Sequence, residues 1–405
     1  MNFTRRSLLS VPASAFAAAP ALGPKLAAAM SGPVLKKDLV KEPVKIASVE
    51  LLRNGKSFIV RVRSSSGVTG YADAHSSVMS VAYPILLKKV APSFVGKDAR
   101  DLETLLEDVY LAGSNYKWQG LPFWVSVAVV EIAILDLLGK VSGQSIGSLI
   151  GTPRHQPIPV YRASGHRGNS PENEIAYLQK VVSETGATAI KFRLGARMRF
   201  DADSTRRDLA LIPLTRKTFG PKFTIYADGN GSYDVPQAIR IGKVMEEYKL
   251  AFFEEPVPFD YYDETKQIAA ALKIRIALGE EEASLRGFRR IIEQGIARVI
   301  QPDLLYFGGL IRSMKVARMA AAAGLECTPH MSDGGLGFLY VAHFAGCIAN
   351  AGAHQEYKGE DDTLPVYSAT SSLRSEKGLL TVPTGPGLGI EIDPAFLAKA
   401  QPVTA

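Results

Sequence analysis

The sequence predicts a parallel (β/α)7β barrel of the TIM type, with an α+β capping domain in front of it that the C-terminal segment completes. Three observations predict this. Short apolar runs recur through the second half, each closing on a charged or polar residue: TAIKFR, FTIYAD, AFFEE, IRIALGE, ARVIQPD, GLECTPH and AHQE. The closing residues, from Lys191 to Glu356, fall at intervals close to the length of one strand plus its crossover helix. A run of strand-like segments followed by a run of helical ones precedes this series, which is the order of an α+β unit. The chain has 405 residues, more than one hydrophobic core usually serves.

Taken in order, residues 1–29 read as an export signal. Thr4-Arg5-Arg6-Ser7-Leu8-Leu9 has the form of a twin-arginine motif, an Ala-rich stretch follows, and Ala27-Ala28-Ala29 offers a small-residue cleavage site. The mature chain is then expected to start near Met30 and to reach the periplasm folded. Residues 30–42 are a polar lead-in. Residues 43–155 form the α+β unit. Its strands alternate in polarity and break at the turn signals Asn54-Gly55 and Ser66-Gly67, and its helices carry apolar residues at three- and four-residue spacing from Val78 to Gly139. Residues 156–357 are the barrel, opening with IPVYRAS. Gly-rich LYFGGL and DGGLGF follow strand ends, where backbone must bend beside a ligand. Residues 358–405 are turn-rich and regain strand character in GPGLGIEID, so they are expected to pack back on the N-terminal unit.

Composition narrows the partners. The net charge is +7, and Arg5, Arg6 and Lys25 of the export segment supply three of those charges with no acid among them. The remainder is too small, in a chain this long, to point to nucleic acid. The apolar fraction of 46% is ordinary for a globular protein, and no apolar run is expected to approach membrane-spanning length. Cys327 and Cys347 are expected to be buried thiols rather than a bridge.

Strand ends of such a barrel meet at one face, where chemistry is done. Asp228, Glu254 and Glu280 close three consecutive strands at equal spacing. Three converging carboxylates suit a hard divalent cation such as Mg²⁺, and the lack of an accompanying Cys/His set argues against zinc. Lys191 and Arg193, two apart on one strand, share a face and could hold an anionic substrate; desolvation could lower the Lys191 pKa for proton transfer. Asp303 and His330 close the next two strands, and a carboxylate on one imidazole nitrogen makes the other a base. His75, His155, His166, His343 and His354 lack that placement. Glu356 closes the ring and, if protonated, could hydrogen-bond a substrate carboxylate. Of the neighbouring acids, Glu255 should point away from Glu254 by strand alternation.

These residues resemble the enolase superfamily, in its mandelate racemase subgroup, along the whole mature chain, including GKVSGQSIGSLIG before the barrel and GPGLGIEI near the end. The resemblance implies that Asp228, Glu254 and Glu280 bind Mg²⁺, that Asp303 and His330 form the base dyad, that Glu356 contacts the substrate carboxylate, and that Asn230 contacts substrate. It also implies a homo-oligomer, with specificity set by capping-domain loops, here around Arg53-Asn54-Gly55 and Tyr71 to Ser77, and by Tyr161-Arg162. The subgroup's best-known members have Lys-x-Lys where this chain has Lys191-Phe192-Arg193. Arginine is a poor base. The expected reaction is therefore abstraction of a proton α to a carboxylate followed by loss of a β-hydroxyl, the dehydration of a hydroxy acid or sugar acid. Racemisation of a 2-hydroxy acid and a non-catalytic acid-binding barrel are the competing readings. A two-metal hydrolase is disfavoured, because ligands for one metal are present and no histidine cluster is.

Overall fold

A computed structural model describes residues 22–359 and 364–404. Thr4 to Leu9 lie outside the described residues. The first described element is helix α1 (Leu22–Ser31), so the stretch where the export signal was expected to end is helical. Leu26 is fully buried in the main core, and Ala29 and Met30 pack against that core.

Strands β1 (Ile46–Asn54), β2 (Ser57–Ser64) and β3 (Thr69–Asp73) form an antiparallel meander. Helices α2 (Ser76–Ile85), α3 (Leu102–Leu111), α4 (Leu121–Ser142) and α5 (Ile146–Ile150) follow. The last strand of the chain returns to the edge of this sheet: Leu52 and Arg53 of β1 pair with Pro402 and Gln401. The expected return of the tail to the N-terminal unit is thus a β-ladder.

Helix α4 corrects one expectation. At 22 residues it is long and apolar enough by composition to cross a bilayer, yet nearly all of it is buried inside the protein. It is apolar all round because it is enclosed all round. Its two buried acids are structural ties. Asp136 accepts from the Tyr71 amide at 2.9 Å, from Lys140 Nζ at 2.6 Å and from the Leu388 amide at 2.9 Å, which fastens the C-terminal Gly-rich loop to the sheet.

The barrel strands are β4 (Ile158–Ala163), β5 (Ala189–Arg193), β6 (Thr224–Asp228), β7 (Phe252–Glu254), β8 (Arg275–Leu278), β9 (Val299–Ile300), β10 (Glu326–Cys327) and β11 (Gln355–Tyr357). They are parallel and hydrogen-bonded in chain order, and β11 pairs back onto β4. A parallel bridge from Cys327 to Ala351 joins β10 to the segment entering β11. Seven crossover helices intervene: α6 (Pro171–Thr185), α7 (Ala202–Phe219), α8 (Val235–Glu247), α9 (Tyr262–Ala271), α10 (Leu285–Glu293), α11 (Leu310–Ala322) and α12 (Gly337–Ala345). Among the described residues no crossover helix follows β11, so the barrel is (β/α)7β.

Alternation along the strands sorts the side chains. Tyr161, Ala189, Tyr226, Phe252, Ala277 and Val299 fill the barrel interior, while Ile190, Phe192, Ile225 and Phe253 face the outer helices. The capping domain is locked on by Glu131 of α4, whose two carboxylate oxygens accept the Leu310 and Ile311 amides, both at 2.7 Å, at the start of α11. Four N–H groups at a helix start lack helical partners, and a carboxylate there satisfies two of them and meets the dipole. Cys327 and Cys347 are buried free thiols.

Candidate active site

Register decides which side chains share the mouth of the barrel. Arg193 pairs with Asp228, and Asp228 with Glu254, so three neighbouring strands present polar residues at one level. Lys191 lies one inward position lower on β5. Glu280 lies past the end of β8, and Gly279, with φ +129°, turns the chain so that Glu280 rejoins the ring. A Cβ at Gly279 would meet the Phe288 ring at 2.6 Å, so both conformation and space require glycine there. Asp303 and His330 form a parallel bridge beyond β9 and β10. Glu356 is on β11. Every expected site residue is buried, none more than 7% exposed, so their charges must be answered within the protein.

The answers are specific. Lys191 Nζ lies 2.9 and 2.7 Å from the two oxygens of Glu254 and 3.3 Å from Glu356. The Arg193 guanidinium pairs with Asp228 Oδ2, and it also donates to the Ser164 carbonyl at 3.2 Å and to Asn230 Oδ1 at 3.3 Å. Asp228 Oδ1 accepts the Asn230 amide at 2.7 Å. Asn230 Nδ2 donates to Glu280 at 3.4 Å, so Asn230 bridges two members of the acidic set. Carboxylate oxygens of Asp228, Glu254 and Glu280 lie within 4.8 Å of one another. Glu280 Oε2 accepts no hydrogen bond despite being buried, and Asp228 Oδ2 meets only the Arg193 guanidinium. Burial pushes Glu280 up to about 8, Glu281 and Glu254 adding to it against His330. Three hard oxygen donors, crowded and partly unsatisfied, fit a divalent cation.

The dyad is formed. His330 Nδ1 lies 2.7 Å from Asp303 Oδ2, while Nε2 points inward, 3.6 Å from both Glu280 and Glu356. Asp303 also accepts the Leu305 and Tyr306 amides at 2.7 Å and the Ser332 amide at 2.6 Å. Burial works against the imidazolium, yet Glu280, Glu356 and the Asp303 hydrogen bond outweigh it and raise His330 to about 9.

Several expectations are corrected. Lys191 was expected to lower its pKa on desolvation. Burial does act in that direction, but Glu254 and Glu356 overcome it and hold the ammonium well above its usual range. Arg193 is committed to a carboxylate of the acidic set rather than open to an anion. Glu356 is not poised to donate: burial would raise it, but Lys191, Lys358 and His330 hold it well below the usual carboxylate range, and it accepts the Met331 amide at 3.1 Å. Glu255 does not point away. Strand alternation ends at Glu254, Glu255 adopts φ +40°, and its carboxylate gathers with Glu280 and Glu281. Tyr161 packs inside the barrel with Lys191 Nζ 5.2 Å from its ring centroid.

His75 was set aside among the histidines and belongs at this site. It lies just past β3 in the capping domain, is 3% exposed and has φ +47°. Its ring stacks on Tyr306 at 5.6 Å, and its Nδ1 lies 3.2 Å from Ser77 Oγ and 3.8 Å from Asp333 Oδ1. Its Nε2 is buried with no partner. Left-handed backbone at His75, Asn230 and Glu255 marks the site as strained. The only sequence signal for His75 was its place in the Tyr71 to Ser77 segment, since contact between domains leaves no local pattern.

Residues 174–396 match the enolase C-terminal domain-like family, and residues 32–151 match the mandelate racemase/muconate lactonizing enzyme N-terminal domain. The chain is 26% identical to an arabinonate dehydratase of Saccharolobus solfataricus over 88% of this chain and 90% of that protein. It is 26% identical to an L-talarate/galactarate dehydratase of Salmonella typhimurium over 68% of this chain and 67% of that protein. A crystal structure of a mandelate racemase/muconate lactonizing protein from Paracoccus denitrificans, complexed with magnesium, superposes with TM-score 0.81 at 28% identity, covering 89% of this chain and 99% of that one.

Proposed function

Because the chain belongs to the enolase superfamily, in its mandelate racemase/muconate lactonizing enzyme branch, we propose that it is a Mg²⁺-dependent dehydratase of a sugar acid. The observation that carries this reading is the asymmetry of the site. One base, His330, is backed by a carboxylate and faces inward, while Lys191 and Arg193 are both held as cations in ion pairs with the acidic set. Asp228, Glu254 and Glu280 would hold the cation. When bound, it would supply positive charge against the negative charge that gathers on the substrate carboxylate as the α-proton leaves.

This chain's own residues do the rest. Asp303, fixed by three backbone amides, orients His330 so that Nε2 takes the proton from the α-carbon. The imidazolium is stabilised by Asp303 and then returns that proton to the β-hydroxyl as its carbon–oxygen bond breaks. Water leaves, and the enol left behind ketonises to a 2-keto acid. Lys191, between Glu254 and Glu356, keeps those carboxylates from repelling the anionic substrate. Racemisation would need Lys191 or Arg193 as a base on the opposite face, and each is tied up as a cation.

Incubation of the enzyme with Mg²⁺ and a library of sugar acids, with 2-keto acid detection, tests the proposal. Dehydration of at least one acid is expected. Deuterium incorporation into both stereoisomers of a 2-hydroxy acid, with no loss of water, would establish the racemase instead. Export by the twin-arginine route and a homo-oligomeric state are further parts of the proposal. The first rests on the sequence alone: the Thr4 to Leu9 motif, the Ala-rich stretch after it and the small residues Ala27 to Ala29. Cleavage after Ala29 would strip Leu26 from its seat in the core, so N-terminal sequencing of a periplasmic fraction checks both export and the cut. Gel filtration with light scattering checks the assembly.

A further inference from the structure

At the same end of the barrel as the acidic ring, a groove of ≈ 750 Å³ runs between the loops that follow β4 and β5. Arg167, Arg206 and Arg207 line it, with Asp201 and Asp203. Most of these charges are already spoken for. Asp203 pairs with Arg206 at 2.9 Å, and Asp201 caps α7 through the Ser204 amide at 2.7 Å. Two guanidinium groups are left with unused donors.

Arg207 is held rigidly, its side chain only 10% exposed. It donates from Nε to the Asn169 carbonyl at 3.0 Å, and from Nη1 to the Arg193 carbonyl and Asp208, both at 2.9 Å. Its Nη2 is buried with no partner. Arg167 has neither Nε nor Nη2 partnered, though both atoms are shielded from solvent. Shielded donors without acceptors are costly, and like charges so placed repel, unless an anion completes the group. The charges near Arg167 are mostly of its own sign: burial lowers it to about 10, Arg193 and Arg197 adding to the effect and Glu280 opposing it. Arg167 thus lies within electrostatic reach of Glu280 in the acidic ring. The Arg207 bond ties the groove to the backbone of Arg193, whose side chain pairs with Asp228.

We propose that this groove receives a second anionic group of the substrate, so that the acid dehydrated is a dianion, a sugar acid with a carboxylate at each end. The inference rests on the dehydratase reading and narrows it. The carboxylate next to the reacting carbon is met at the acidic ring, and the distal one by Arg167 and Arg207 Nη2. Arginine suits this role because its planar fork matches a carboxylate. Arg167 is then a specificity-determining contact, and the single-carboxylate acids lack a group to fill the groove.

Calorimetric titration of the Mg²⁺-loaded enzyme tests it, using sugar diacids and monoacids matched in length and configuration, galactarate and galactonate among them. The best diacid is expected to bind at least roughly tenfold more tightly than its monoacid match, as one charge-assisted pair would supply. Arg167→Gln should erase that difference and leave monoacid affinity within about twofold. Inorganic phosphate should compete with the diacid and not with the monoacid. Equal affinities in the wild type, or equal weakening of both classes by Arg167→Gln, would overturn the proposal while leaving the dehydratase standing. Phosphate that binds without displacing the diacid would make the groove an independent anion site, which also overturns it. Silence from every acid would remove the dehydratase reading and the inference together.

Discussion

Replacing Asp303 by Asn changes one atom and should cost the enzyme nearly all of its turnover. Asp303 accepts four hydrogen bonds inside the protein: two amides on Oδ1, and the Ser332 amide with His330 Nδ1 on Oδ2. Asparagine has one acceptor oxygen. If that oxygen keeps the Leu305 and Tyr306 amides, the new NH₂ faces Ser332 N and His330 Nδ1. The imidazole then accepts at Nδ1 and carries its proton on Nε2, the nitrogen that must be empty to take the substrate's proton. A wrong-tautomer histidine of this sort costs about 10⁴-fold in rate, or about 5 kcal/mol of barrier. The Ser332 amide, left without an acceptor, costs about 1–3 kcal/mol of stability. Flipping the amide repairs the histidine but strands two amides instead. The assay is kcat and α-proton exchange in D₂O on the best acid of the library, alongside urea unfolding and Mg²⁺ titration. Metal affinity should stay within a few-fold, because Asp303 is outside the acidic set. Exchange within tenfold of wild type would refute the assignment of His330 as the base held by Asp303.

Four further outcomes follow from contacts at the site and between the domains. His330 titrates at about 9 without cation, raised first by Glu280 against burial, so Mg²⁺ on Glu280 should lower its pKa in an NMR titration; an unchanged or higher value would contradict the shared site. Because the folded value is raised, protonated His330 stabilises the cation-free protein fully below about pH 6.5 and loses that contribution as pH climbs through about 9, whereas activity, which needs the free base, rises with pH. Lys191→Met leaves Glu254 and Glu356 buried without their cation and should cost about 3–5 kcal/mol in urea unfolding, part of it restored by Mg²⁺; a loss indifferent to Mg²⁺ would place Lys191 outside the metal's surroundings. Glu131→Gln keeps one acceptor for two amides at the start of α11 and should lower stability by about 1–3 kcal/mol with kcat near wild type; no change in the urea midpoint would show that this tie does not hold the domains together.

The ring from Lys191 to Glu356 was legible in the chain because a strand end is a local event. An apolar run of fixed parity stops, a polar residue follows, and the crossover helix imposes the spacing to the next. Asp228, Glu254, Glu280, Asp303 and His330 could thus be placed at one face before any contact was known. Strand parity failed one residue later, at Glu255, because a left-handed backbone ended the alternation that the argument relied on. Helix α4 shows a related limit: an all-round apolar helix has the same composition whether lipid or protein surrounds it.

Tertiary structure decided which charges answer which. Lys191 lies between Glu254 and Glu356, and Arg193 lies on Asp228, across strands whose separation no spacing rule supplies, and those pairings reverse the direction in which burial alone would move Lys191. His75 enters from another domain, and Arg167 and Arg207 owe their interest to individual guanidinium donors left without acceptors. Sequence periodicity records where a side chain points along its own strand or helix. Electrostatic identity depends on which charges face it through space, and that is settled only when distant segments close on one another.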